Sequence, residues 1–146
     1  MQALGYNTYR QTGIMTADPK RLVILCYEEA IRSLNEAGDH CLSRQYESKG
    51  KAVQRVLDIL NELRSALDFE RGEGIAKNLD LLYGFMIKHI IKGDQSKDTQ
   101  SFRQVASMLE TLKSAWESAF YSRPEGQRVN VPNLNQTSSP SVEYLR

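Results

Sequence analysis

A chain of 146 residues with 40% hydrophobic and 25% charged side chains has the make-up of one globular domain with a sizeable core. Its formal net charge of +1 gives no electrostatic case for nucleic acid or an anionic membrane surface. The longest apolar run, Leu22 to Tyr27, is far too short to span a bilayer, and no charged stretch followed by an apolar run opens the chain. Membrane insertion and a signal peptide are therefore not expected, and the cytoplasm is the default location.

Residues 1–17 read as an N-terminal arm, in which Leu4, Tyr6, Tyr9, Ile14 and Met15 give it reason to dock and one short cap helix has room to form. Asp18-Pro19 then reads as N-cap plus first helical residue, since Asp accepts from orphan amides and Pro loses nothing there. The first helix is predicted from Pro19 to about Ser43, along a seam of Val23, Tyr27, Ala30, Leu34, Ala37 and Cys41. Cys26 and Cys41 fall on this one helix, roughly 22 Å apart at a rise of ~1.5 Å per residue. That is beyond the ~7 Å limit for a disulfide, so two free thiols facing the core are expected. The second helix is predicted from Tyr46 to Asp68, on Val53, Val56, Leu60, Leu63 and Leu67. Glu70-Arg71-Gly72-Glu73-Gly74 interrupts the pattern, because paired glycines disfavour helix.

The third helix is predicted from Ile75 to about Lys92, with Gly93 as its C-terminal stop. The fourth starts near Lys97-Asp98 and ends near Tyr121, on a seam of Phe102, Val105, Leu109, Leu112, Trp116 and Ala119. Seams of alternating three and four predict packing at about 20°, and short connections make neighbours antiparallel. The expected fold is all-α: an antiparallel up-down four-helix bundle over residues 18–121. Residues 122–146 hold Pro124, Pro132 and Pro140 among Asn, Gln, Ser and Gly without a period, and read as a disordered C-terminal tail.

Between Ile75 and Ile91, 11 of 17 residues are apolar. At 100° per residue they cover roughly 280° of the helix circumference, where a bundle helix needs a stripe little wider than ~100°. The excess is met either by the arm lying over this helix or by a partner docking on it.

Nothing in the chain looks equipped for catalysis. A di-iron site in a bundle uses Glu-x-x-His pairs, but Ala37 stands three before His40 and Met86 three before His89. Two Cys and two His, scattered, do not make a zinc site, and a thiol buried among apolar groups is inert. No Gly-rich phosphate loop is present. No cofactor and no metal are expected, Tyr83 and Trp116 read as core, and the protein reads as a binder rather than an enzyme.

In this order and spacing, several stretches resemble the FliS family of flagellar secretion chaperones. Tyr6-x-x-Tyr9-x-x-Thr12 followed by Ile14-Met15-Thr16-Ala17-Asp18-Pro19 is similar to the family's tyrosine arm and Thr-Ala-Ser-Pro-like helix start. Leu22-Val23-x-Leu25-Cys26-Tyr27-Glu28-Glu29-Ala30-Ile31 is similar to its Leu-Tyr-Asp-Gly-Ala segment, with Glu29 where Gly is common and Cys26 where Leu is usual. Leu60-Asn61-Glu62-Leu63, Asn78-Leu79-x-x-Leu82-Tyr83 and Leu109-x-x-Leu112-x-x-x-Trp116 resemble the later helices. The resemblance covers about residues 6–120 and leaves out the polar tail.

It implies a cytoplasmic chaperone that binds the disordered C-terminal segment of flagellin, prevents its early polymerisation and delivers it to the flagellar type III export apparatus. Other flagellar regulators or an export-gate component are further partners it implies. On this reading Tyr6, Tyr9 and Ile14 of the arm cover an apolar groove until the client takes it, and the off-seam residues Leu22, Leu25, Leu81 and Phe85 line client-binding surface. Their other reading is packing within the bundle. Exposed groove surface would also let the free protein form a homodimer that a client competes away. The alternative function is a helical-bundle adaptor for a folded regulator of flagellar assembly.

Overall fold

The computed structural model describes residues 18–121, which form four α-helices. Helix α1 spans Pro19–Leu42, α2 Tyr46–Ser65, α3 Phe69–Ser96 and α4 Thr99–Tyr121. The arm and the tail, with Tyr6, Tyr9 and Ile14, lie outside the described residues.

Three of the four helix starts are capped by an aspartate; the start of α2, at Gln45, has no side-chain cap. The Asp18 carboxylate accepts from the Arg21 amide at 2.8 Å with Pro19 behind it. Asp68 accepts from the amides of Glu70 and Arg71 at 3.1 and 3.0 Å, and Asp98 from that of Gln100 at 3.0 Å. The turns are short. Arg44 (φ 61°) and Lys97 (φ 55°) take the left-handed conformation that ends a helix and reverses the chain.

Charged pairs across the seams show the antiparallel register. Arg55 of α2 reaches Ser33 and Glu36 of α1. Lys49 at the start of α2 meets Asp94 near the end of α3 at 2.7 Å, and Arg64 near the end of α2 meets Asp80 at 2.7 Å. Lys113 of α4 reaches Glu28 of α1 at 3.6 Å. The four helices close into a ring, each packed on the two beside it in sequence and α4 back on α1, so α1 and α3 face each other diagonally. Ile24, Tyr27, Leu34, Val56, Leu60, Leu79, Tyr83, Met86, Ile90, Phe102, Leu109 and Trp116 fill the interior with at most 2% exposure. Each such side chain contributes about 1.5–3 kcal/mol of burial free energy.

The helices do not press together equally. The seams of α1 carry Ala30, Ala37, Ala52, Ala106 and Ala115, and small residues let backbones approach. Those of α3 carry Leu79, Tyr83, Met86 and Phe102 beside Ala76, and α3 stands further from its neighbours along most of its length, closing on α4 at Gly93.

Three sequence expectations change. Helix α2 stops at Ser65 rather than Asp68, because Asp68 is already the cap of the next helix. Helix α3 begins at Phe69 rather than Ile75: the glycine-containing stretch is helical, broken at Glu73 (φ 42°, ψ −118°). It also runs past Gly93, which is not a stop but a contact. A Cβ there would lie 2.5 Å from Ser101 Cβ of α4, so only glycine fits the crossing without a shift. Of the two thiols, Cys41 is buried, whereas Cys26 is half-buried at the edge of the core.

Candidate functional site

The surface with the strongest case for function is the outer side of α3. Its inner line, Leu79, Tyr83, Met86 and Ile90, is sealed in the core. Leu81 and Phe85 each lie two positions from Tyr83, about 160° round the helix. They are one turn apart on the same face and stand 71% and 50% exposed. Ile91, 41% exposed, lies off to one side of them. The His89 ring stacks on Phe85 with centroids 5.2 Å apart and planes 18° from parallel. Its Nε2 is 2.6 Å from Gln104 Oε1, which ties the edge of the strip to α4. The histidine was not among the sequence candidates; the signal was its i+4 spacing from an aromatic residue.

Behind this face the core is held by a polar node. The Trp116 indole N–H donates to the Tyr27 hydroxyl at 3.2 Å, and the Tyr27 and Tyr83 hydroxyls share a 2.6 Å hydrogen bond. The node ties α1, α3 and α4 together across the diagonal of the ring. Burial pushes the Tyr27 hydroxyl up to about 12, its hydrogen bonds offsetting part of the rise, and burial holds Tyr83 well above the ordinary value. Both stay neutral hydrogen-bonding groups at any physiological pH.

The structure places the four described candidates in two regions. Leu81 and Phe85 form the exposed pair on α3. Leu22 and Leu25 are half-buried on α1, about 140–160° round that helix from the core residue Tyr27. Because α1 and α3 are diagonal, the two pairs lie on opposite sides of the bundle and share no single groove.

Reactive groups are not assembled among the described residues. No three His, Cys, Asp or Glu side chains there stand close enough to hold a metal ion. Burial raises the Cys26 thiol to about 11, with Glu62 and Glu29 adding to the effect, so it is neither a thiolate nor a nucleophile at neutral pH. No described helix is long and apolar enough to cross a membrane.

Four antiparallel helices with an apolar strip exposed on one of them define a four-helix bundle. Comparison with known proteins names the class more closely. Residues 1–123 match the family described as flagellar protein FliS. Over 104 residues the chain is 34% identical to the flagellar secretion chaperone FliSB of Pseudomonas aeruginosa, covering 71% of this chain and 82% of that one. It is also 34% identical over 104 residues to flagellar secretion chaperone FliS of Vibrio cholerae, covering 71% and 76%. With the Salmonella typhimurium FliS it shares 29% over 120 residues, 79% of this chain and 89% of the relative. The chain belongs to the FliS family of flagellar secretion chaperones.

Proposed function

We propose that this protein is a cytoplasmic, non-enzymatic chaperone that binds the disordered C-terminal segment of flagellin, keeps it from polymerising early and hands it to the flagellar type III export apparatus. The observation that carries the reading is the solvent-facing Leu81–Phe85 strip on a helix whose other side is fully used by the core. A monomeric bundle gains nothing by exposing it, and membership of a chaperone family supports a client-binding role for it. The second apolar pair, Leu22 and Leu25, lies diagonally across the bundle, so a client touching both must wrap around it. A disordered segment is suited to this, since it can cover a large surface and fold as helices while doing so.

The arm has a part in this scheme. Tyr6, Tyr9 and Ile14 cover apolar surface in the free protein and give it up to the client, and without a client the same surface supports homodimerisation.

The test is calorimetric titration of the full chain with the C-terminal segment of flagellin from the same genome. Saturation near one to one with a large negative heat-capacity change is expected, the signature of folding coupled to apolar burial. Absence of binding by a correctly folded sample overturns the reading and favours a folded partner instead. In the same titration, deleting residues 1–15 should change the affinity; an unchanged value removes the arm from the mechanism.

A further inference from the structure

The apolar strip on α3 is bordered by lysines that find no acidic partner among the described residues. Lys77, Lys88 and Lys92 are exposed and lie within about 80° of Phe85 round the helix, on the same outer side. None makes an ion pair among the described residues. Lys88 and Lys92 are four apart, a like-charge spacing that weakens a helix, and no carboxylate stands three or four positions from either. Lys77 has Glu73 four positions before it, but the backbone break at Glu73 takes that residue out of helical register. Asp80 is engaged by Arg64. Elsewhere Arg32 of α1 is flanked by Glu29 and Glu36, and Lys113 of α4 by Glu28 and Glu117, while Lys51 and Arg103 make no ion pair among the described residues; what sets the α3 lysines apart is that they border an exposed apolar strip.

Resting on the client reading above, we propose that the segment seated on α3 is an acidic amphipathic helix. Its apolar side chains at i and i+4 sit on Leu81 and Phe85, and its Asp or Glu side chains, about one turn further on, pair with Lys88 and Lys92. Charge ranks an acidic client above the arm and a second copy, the weaker occupants of this face that it displaces. The arm carries Arg10 and no carboxylate before Asp18, so it would add a cation to a cationic border. A second copy laid on the same face would bring lysines against lysines. A partner bearing carboxylates removes the repulsion between Lys88 and Lys92 and gains steering toward the strip.

The experiment compares the full-length wild type with K88Q/K92Q, K88E/K92E and F85S, titrated with the flagellin C-terminal segment at low and high salt. The two lysines are exposed, so these variants should fold, and circular dichroism checks that they do. Neutralisation should weaken low-salt binding by about tenfold and flatten its salt dependence, and charge reversal should weaken it further. Replacing the segment's carboxylates by Lys one at a time should yield a change that restores binding to K88E/K92E. Wild-type affinity for K88Q/K92Q at both salts overturns the proposal. If F85S then still loses binding, the chaperone reading stands without it. If the wild type itself does not bind, both readings fall.

Discussion

Tyr27 sits where three helices meet, and its hydroxyl serves two neighbours at once: it accepts from Trp116 and shares a hydrogen bond with Tyr83. In a fully buried setting, a polar group that loses its partner pays its desolvation in full, whereas a satisfied one gains only modestly. The three members of the node are therefore unequal. Tyr27→Phe strips both the Trp116 indole and the Tyr83 hydroxyl of this partner and should cost about 1–3 kcal/mol. Tyr83→Phe leaves the Trp116–Tyr27 bond intact and should cost about 0.5–1.5 kcal/mol. Urea unfolding of the two variants checks the order, with a shifted midpoint and an unchanged slope expected for each. If Tyr83→Phe proves the costlier, the node is not centred on Tyr27. The sequence placed Tyr27 on the seam of its helix and Tyr83 and Trp116 in the core. It gave no sign that the three hydroxyl and indole groups would meet, because that depends on residues 56 and 89 positions apart in the chain.

At the scale of the helix, the two glycine readings show what a one-dimensional pattern can and cannot hold. The start of α1 was legible to the residue, since an Asp-Pro pair before an apolar period specifies the cap locally. Gly93 was not, because a glycine after a periodic run marks either a helix stop or a close crossing, and the choice rests on what lies opposite. Here it is Ser101, and the helix continues to Ser96. Likewise the Gly72–Gly74 stretch stays helical because Asp68 caps it and Glu73 takes up the irregularity. This gives a paired prediction. Gly93→Ala should destabilise by about 1–3 kcal/mol through overpacking against the Ser101 side chain, despite the better helix propensity of Ala. Gly50→Ala, where an added methyl meets nothing within 4 Å, should stabilise by about 0.4–1 kcal/mol. Thermal unfolding of both reads the outcome, and a neutral Gly93→Ala would mean that α3 and α4 can part at no cost. The same limit applied to the site. The apolar excess of the third helix pointed to Leu81 and Phe85. The face that Leu22 and Leu25 would share with them was not legible, because the diagonal placement of α1 and α3 is a property of the ring.

Across the whole molecule the bundle is asymmetric. Alanines let α1 lie close to both neighbours, while large side chains hold α3 further away. Away from its Gly93 crossing with α4, the helix that carries the open strip is thus also the one least tightly held by backbone approach, and its first turns contain the break at Glu73. Local opening follows packing, so the free protein should exchange amide hydrogens slowest along α1 and fastest, among the helices, over Phe69–Gly74 and the outer positions of α3. On the proposed client reading, a wrapped segment would cover outer surface of both α1 and α3, but an α1 that exchanges near the limit set by global unfolding would have little protection left to gain. The flagellin segment should therefore slow exchange in α3 far more than in α1. Hydrogen exchange followed by mass spectrometry, with and without the segment, measures both halves of this. Equal protection of all four helices in the free protein would remove the asymmetry as a physical property. A client effect confined to α1 would place the binding surface on the opposite side of the bundle from Leu81 and Phe85.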